Sequence, residues 1–268
     1  MKIVFLGGGN MAKALVQGLR EKGTLARDLT IIDPDEAARD RFSKMSITAL
    51  QHISENELGA DVFVLAVKPQ TLREALSSTS GLSRHALVIS IVAGIPISSI
   101  SKWLDGKTRI IRVMPNTPSL IQAGVSGIFA GEDVTPDDRE VAEKIVGSVG
   151  RYIWCAEESL IDLVTAVSGS GPAYVFYFIE ALESVAIEMG LDKESARLLA
   201  IETFLGSARL AARSDESPKT LRERVTSRGG TTAAAIQIFE QGNLAKLISS
   251  AVRRAKSRAS ELAEEYGG

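Results

Sequence analysis

The chain is poor in the residues on which enzymes build nucleophilic, acid–base and metal chemistry. Its 268 residues hold one cysteine, Cys155, and two histidines, His52 and His85. A single cysteine excludes an internal disulfide and a cysteine-based metal site, and it fits a reducing, cytoplasmic setting. Both histidines lie in polar, loop-like surroundings and read as solvated side chains, so no metal is expected. Basic residues are not in excess: 31 Lys and Arg face 33 Asp and Glu, a net charge of −2. That balance argues against a nucleic-acid partner. No stretch offers the roughly 20 uncharged apolar residues that a membrane span needs. The most apolar helical segment, Ala173–Met189, carries Glu180, Glu183 and Glu188. Met1–Leu6 runs straight into a glycine turn and does not read as a signal peptide. Repeats are absent, and only Ala233–Ala235 is of low complexity.

What is present is hydrophobic and strongly patterned. Hydrophobic residues make up 45% of the chain, enough for one large or two ordinary cores. Lys2–Leu6 is a short run of β-formers that ends in Gly7-Gly8-Gly9-Asn10-Met11-Ala12, followed by an amphipathic helical pattern with Ala14, Leu15, Gly18 and Leu19 on one side. Strand, glycine turn and helix form the context of a G-x-G-x-x-G/A fingerprint. Gly7 permits the tight turn, Gly9 lets a pyrophosphate approach the backbone, and Ala12 lets the helix pack on the strand. The helix start offers unpaired N–H groups to phosphate. The bland alternative is a strand–helix turn with glycines for steric reasons alone.

Strand and helix then alternate through roughly residue 150. Leu29–Ile32, Asp61–Val67, Leu87–Val92 and Arg109–Met114 read as strands, with helices at 35–44, 69–78 and 96–104. Continuous apolar runs are the form of strands covered on both faces, and the alternation points to a parallel sheet flanked by helices. Ligands of such sheets bind beyond the carboxyl ends of the strands. Those ends read Gly7–Met11, Asp33-Pro34, Ala66-Val67-Lys68-Pro69-Gln70, Val92-Ala93-Gly94 and Met114-Pro115-Asn116-Thr117-Pro118. Asp33, after the second strand, suits adenosine ribose hydroxyls and repels a 2′-phosphate, which leans the cofactor towards NADH over NADPH. Its other reading is a helix-entry turn. Lys68 reads as loop scaffolding more than as a catalytic group. Gly124–Ala130 and Arg151–Trp154 are further strand candidates, and Thr135-Pro136 opens a helix as N-cap and first position.

After residue 157 the strand signal vanishes. Helices are expected at 158–167, 172–190, 192–213, 217–225, 231–241 and 243–265. The expected architecture is an α/β Rossmann-type domain, residues 1–157, followed by an all-α domain, residues 158–268. Two turns in the helical half are unusually small. Ser168-Gly169-Ser170-Gly171-Pro172 is expected to leave the start of the next helix uncovered. Thr226-Ser227-Arg228-Gly229-Gly230-Thr231-Thr232 gathers backbone N–H groups and hydroxyls at another helix start, a fit for a carboxylate. The helical half has no histidine or cysteine, so strong acid–base chemistry is not advertised. Hydride transfer to an electrophilic, protonated C=N bond needs little of it, since orientation carries much of the reaction.

Taken together, Gly7–Met11, Ala66–Gln70, Met114–Pro118, Ser168–Tyr174 and Thr226–Thr232 resemble the pyrroline-5-carboxylate reductase family over nearly the whole chain. The resemblance implies reduction of 1-pyrroline-5-carboxylate to L-proline by NADPH or NADH, the last step of proline biosynthesis. It implies a homodimer with interlocking helices, dimers that often form rings, and an active site formed by one subunit's cofactor and its partner's helices. It assigns the dinucleotide to Gly7, Gly8, Gly9, Asn10, Met11, Ala66, Val67, Lys68, Pro69, Val92, Ala93 and Gly94, beside Asp33. It assigns the substrate to Thr165, Ser170, Ser227, Gly230, Thr231 and Thr232, with the Thr232 hydroxyl near the ring nitrogen as donor or orienter. Asp33 departs from the small polar residue that many members have there. Two other readings compete. A β-hydroxyacid dehydrogenase would need a lysine on the long helix after Pro172, and none is present. A non-catalytic dinucleotide sensor would be favoured by loss of the Thr226–Thr232 turn, which this chain keeps.

Overall fold

The computed structural model describes residues 1–79, 81–83, 85–107 and 109–268. The chain falls into two compact units, Met1–Ser170 with Arg254–Gly268, and Gly171–Arg253. The end of the strand signal at residue 157 thus precedes the break between the units, and the last turns of the chain return to the first unit.

The first unit is built on one eight-stranded sheet. Its strands are β1 (Ile3–Leu6), β2 (Leu29–Ile32), β3 (Thr48–Leu50), β4 (Val62–Leu65), β5 (Leu87–Ser90), β6 (Ile110–Met114), β7 (Gly124–Ala130) and β8 (Gly150–Trp154), in the order β3-β2-β1-β4-β5-β6-β7-β8. Helices α1 (Asn10–Glu21), α2 (Glu36–Ser43), α3 (Glu55–Leu58), α4 (Pro69–Ser77), α5 (Ile97–Trp103), α6 (Pro136–Val146) and α7 (Ser159–Val164) accompany it. Side chains of β1 alternate between two cores: Ile3 and Phe5 join Leu15, Ile31 and Val64 in one, and Val4 and Leu6 join Phe63, Leu65 and Val88 in the other. Burial on both faces explains the unbroken apolar runs.

Two departures from the sequence reading have simple causes. The short strand β3 and the single-turn helix α3 lie in a stretch too brief and polar for a periodicity to register. The sheet is also not wholly parallel, since β7 runs antiparallel to β6. Only a short connection containing a 3₁₀ turn, Thr117–Ile121, joins them. That is too little chain for a crossover helix, so the strand must return antiparallel. Strand β8 then follows β7 in parallel through α6.

The start of α6 forms as its sequence dictates. Thr135 Oγ1 accepts from Asp138 N at 3.2 Å, and Asp138 reaches back to Thr135 N at 3.0 Å, the reciprocal capping box. The same carboxylate takes two hydrogen bonds from Arg109, from Nε at 2.7 Å and Nη2 at 2.6 Å. Three residues further on, within β6, buried Arg112 donates to Glu158 at 3.1 Å and Asp162 at 2.9 Å. Glu158 also accepts from Ile97 N at 2.8 Å, so strand β6, α5 and α7 share one ionic junction.

The second unit contains α8 (Gly171–Glu188), α9 (Lys193–Arg213), α10 (Pro218–Arg224), α11 (Thr231–Gln241) and the first turns of α12 (Leu244–Tyr266). All five were expected within one to two residues. Its interior is nearly empty of core. Among the described residues of this unit only Ala196 and Ala200 are buried, whereas Phe176, Tyr177, Leu198, Leu210, Val225 and Ile238 are exposed. Helices α8 and α9 pair through Phe178 and Phe204, with ring centroids 6.4 Å apart.

Burial by itself would raise the Asp138 carboxyl, but the hydrogen bonds from Arg109 and Thr135 outweigh it and hold the group below its ordinary value. A carboxylate depressed in the folded state stabilises the fold above its unfolded pKa, and that contribution is lost as pH falls through the lower folded value. Asp138→Asn should therefore be less stable than the parent at pH 7, and the gap should narrow below roughly pH 4. Urea unfolding at pH 7 and pH 3 measures this. A gap that stays constant across the range would contradict it.

Candidate functional site

The glycine turn lies where β1 gives way to α1. Gly7 adopts φ +106°, and a Cβ there would stand 2.6 Å from the Ala66 carbonyl oxygen. Only glycine accommodates both the dihedral and the approach. The strand ends are pinned together at this point: Gly7 N donates to Ile32 O and Ala66 N to Leu6 O, both at 2.8 Å. Gly9 is the N-cap of α1, and no side chain caps that helix. A Cβ at Gly9 would meet nothing within 4 Å. Exposed Asn10 and half-buried Met11 follow, and Ala12 is fully buried beneath them.

Asp33 stands half-buried at the end of β2. Its Oδ2 accepts from Gly8 N at 2.7 Å and its Oδ1 from Asp35 N at 2.8 Å. Each carboxylate oxygen has capacity for a second donor. Arg39 donates to the carbonyls of Asp33 and Pro34, and Arg41 to that of Gly8. Beyond β4, Ala66 and Val67 are half-buried, Lys68 is the exposed N-cap of α4, and Pro69 takes the first helical position. Beyond β5, Val92 is buried, Ala93 is half-buried, and Gly94 is buried with φ +79° beneath Leu262 of α12.

Strands β2, β1, β4 and β5 are consecutive neighbours with parallel registers. Their carboxyl ends therefore set Asp33, the glycine turn, Ala66–Pro69 and Val92–Gly94 side by side. An uncapped helix start, clear space in front of Gly9 and a carboxylate on the adjoining strand are what a dinucleotide needs for its pyrophosphate and ribose. The residues fit the group.

Thr165 and Ser170 belong to a different feature of the first unit. The expected open helix start at 168–172 is instead a π turn, Thr165–Gly169, that carries α7 towards α8. Ser170 N donates to Thr165 O at 2.8 Å, five residues back. Just beyond the turn, Pro172 has no N–H to give to the Ser168 carbonyl four residues earlier. Asn116 Nδ2 donates to that carbonyl at 3.1 Å. In the sequence Asn116 stands out only as part of a strand-end motif, since a partner 52 positions away leaves no local trace.

The Thr226–Thr232 turn lies in the second unit. Gly229 has φ +73°, Gly230 N donates to Ser227 O at 3.0 Å, and Gly230 is the N-cap of α11 without a side-chain cap. Ser227 and Thr231 are exposed, and Gly230 and Thr232 are half-buried. Thr226 turns its hydroxyl back to the Arg222 carbonyl. The result is an uncapped helix N-terminus bordered by hydroxyls, as the sequence leads one to expect. His52 and His85 are exposed, and no cluster of three or more His, Cys, Asp or Glu capable of holding a metal occurs among the described residues. No helix among them is long and apolar enough to cross a membrane.

The first unit is thus a dinucleotide-binding domain of an oxidoreductase, and residues 2–94 match the family model described as NADP oxidoreductase, coenzyme F420-dependent. Residues 158–262 match the model of pyrroline-5-carboxylate reductase dimerisation. Along its length the chain is 39% identical to the pyrroline-5-carboxylate reductase of Pseudomonas aeruginosa, covering 99% of this chain and 98% of that protein. A pyrroline-5-carboxylate reductase structure from Coxiella burnetii superposes with a TM-score of 0.90 at 42% identity, over 97% of this chain and 98% of that one. The Plasmodium falciparum pyrroline carboxylate reductase with NADP bound superposes at 0.88 with 27% identity, over 98% of each chain. The chain belongs to the pyrroline-5-carboxylate reductase family.

The two glycines of the turn should respond differently to substitution. Gly9→Val, facing open space, should leave unfolding unchanged and raise the dinucleotide Kd by at least about tenfold, because its side chain enters the phosphate's path. Gly7→Val should instead cost the fold more than the roughly 1–3 kcal/mol of a strained dihedral, since Ala66 blocks the Cβ as well. Calorimetric unfolding and dinucleotide titration distinguish the two. Normal dinucleotide affinity in Gly9→Val would overturn the assignment.

Proposed function

We propose that the chain reduces 1-pyrroline-5-carboxylate to L-proline with NAD(P)H. The observation that carries the reading is the glycine-capped start of α11 among Ser227, Thr231 and Thr232, in a chain whose other unit is built for a dinucleotide. A dinucleotide held at the glycine turn would supply the hydride that the ring C=N carbon takes. The residues of this chain do the rest. The amides opening α11, with the Ser227 and Thr231 hydroxyls, bind the substrate carboxylate. The Thr232 hydroxyl orients the ring nitrogen, which already carries its proton when the carbon takes the hydride; the neutral amine so formed then takes a second proton from water. Thr165 and Ser170 border the ring. A charged acid or base is unnecessary, because a protonated imine is already electrophilic. A β-hydroxyacid dehydrogenase is disfavoured, since α8 carries no lysine from Gly171 to Glu188.

Assembly belongs to the same proposal. A helical unit with two buried alanines and a broad apolar surface does not meet the cost of its own folding. A second copy covering α8 and its neighbours supplies the missing burial, and the match to a dimerisation family supports that arrangement. The cofactor range is NADH and NADPH. Asp33, with its carboxylate beside the glycine turn, favours NADH through repulsion of a 2′-phosphate.

Mixing the protein with 1-pyrroline-5-carboxylate and either cofactor should give cofactor oxidation and proline. The kcat/KM for NADPH should exceed that for NADH by no more than about tenfold if Asp33 repels as argued. Thr232→Ala should lower kcat by about a hundredfold and Thr232→Ser should keep most of it. Equal rates in all three proteins would remove the hydroxyl from the mechanism, and no oxidation of either cofactor would remove the reading itself.

A further inference from the structure

We propose that Asn116 is a positioning residue: it holds the Thr165–Gly169 π turn in the form that sets Ser170 relative to Thr165. The inference rests on the pyrroline-carboxylate reading, in which those two residues border the ring.

A π turn is a poorly bonded way to continue a helix and persists only where its surroundings hold it. Here the surroundings come from the segment after β6. Asn116 is buried, 7% exposed, and both ends of its amide are committed. Val125 N, at the start of β7, donates to Oδ1 at 2.9 Å, which fixes the orientation of the amide and aims Nδ2 at the Ser168 carbonyl. That carbonyl is the one Pro172 leaves without its α-helical donor. Met114 presses from the same side: a Cβ on Gly169 would lie 2.6 Å from the Met114 methyl carbon, so Gly169 keeps the space for this contact. Inside the turn, the Thr165 and Ser168 hydroxyls donate back to Ile161 O at 2.8 Å and Val164 O at 3.1 Å. Their lone pairs remain as acceptors.

The turn matters because it adds one residue to the winding. Closing it to an α-turn would shift Ser170 about Thr165 by one residue's rotation, about 100°. Asn116 thereby acts on the substrate through the turn, without touching it.

Asn116→Asp tests this. It keeps the shape and the acceptor for Val125 N, but sets oxygen against the Ser168 oxygen. Hydrogen exchange at the Ser170 amide should quicken by about tenfold, and the substrate KM should rise by a similar factor. The dinucleotide Kd, read by fluorescence titration, should stay within about twofold, because the glycine turn is untouched. Pro172→Ala is the second variant. It restores the donor to Ser168 O, lets the turn close, and should raise the substrate KM without loss of thermal stability. Wild-type exchange at Ser170 in Asn116→Asp, or a KM and a dinucleotide Kd that rise together, would overturn the proposal. Failure of the parent protein to reduce the substrate would strike the functional reading alone, because the exchange measurement needs no turnover.

Discussion

Everything at the cofactor end depends on a sheet buried on both faces. Because β1 sends Ile3 and Phe5 into one core and Val4 and Leu6 into the other, its neighbours must be covered by helices, and helices on both faces require parallel crossovers. Parallel strands end at the same edge. That edge is where Gly7 meets Ala66 and where Gly8 meets Asp33. The chemistry of the turn is therefore a consequence of packing: Gly7 is needed because the strand ends converge, and the convergence brings carboxylate, helix start and small loops within one ligand's reach. The C-terminal residues belong to this arrangement too. Leu262 sits over Gly94, and the Ser99 hydroxyl donates to the Gly267 carbonyl.

The helical unit obeys a different rule. It has helices of good length and caps, such as Asp192 on α9 and Ser217 on α10, but almost no interior. Local preferences make its helices; burial by a second chain is what gives such a unit stability.

Much of this was legible in the sequence because it is written locally. The glycine turn, the Thr135 cap, the apolar strands and the helices after Asp192 follow from periodicity and capping. What escaped depends on partners far along the chain. The reversal of β7 was set by a short connection, which a strand pattern alone does not orient. The π turn looks like an open helix start in the sequence because Pro172 fits both. Only the position of Asn116 beside Ser168 shows which was built. The return of α12 to the first unit likewise has no local mark, and the ionic junction at Arg112 joins residues 46 and 50 positions apart.

The central claim is that a hydride passes from the nicotinamide to the ring carbon of the imine. NADH carrying deuterium at the transferable position, incubated with the protein and 1-pyrroline-5-carboxylate, tests it most directly. The account predicts proline one mass unit heavier, with the deuterium on the carbon that was double-bonded to nitrogen. Proline formed without the label, or cofactor oxidised without labelled proline, would contradict it.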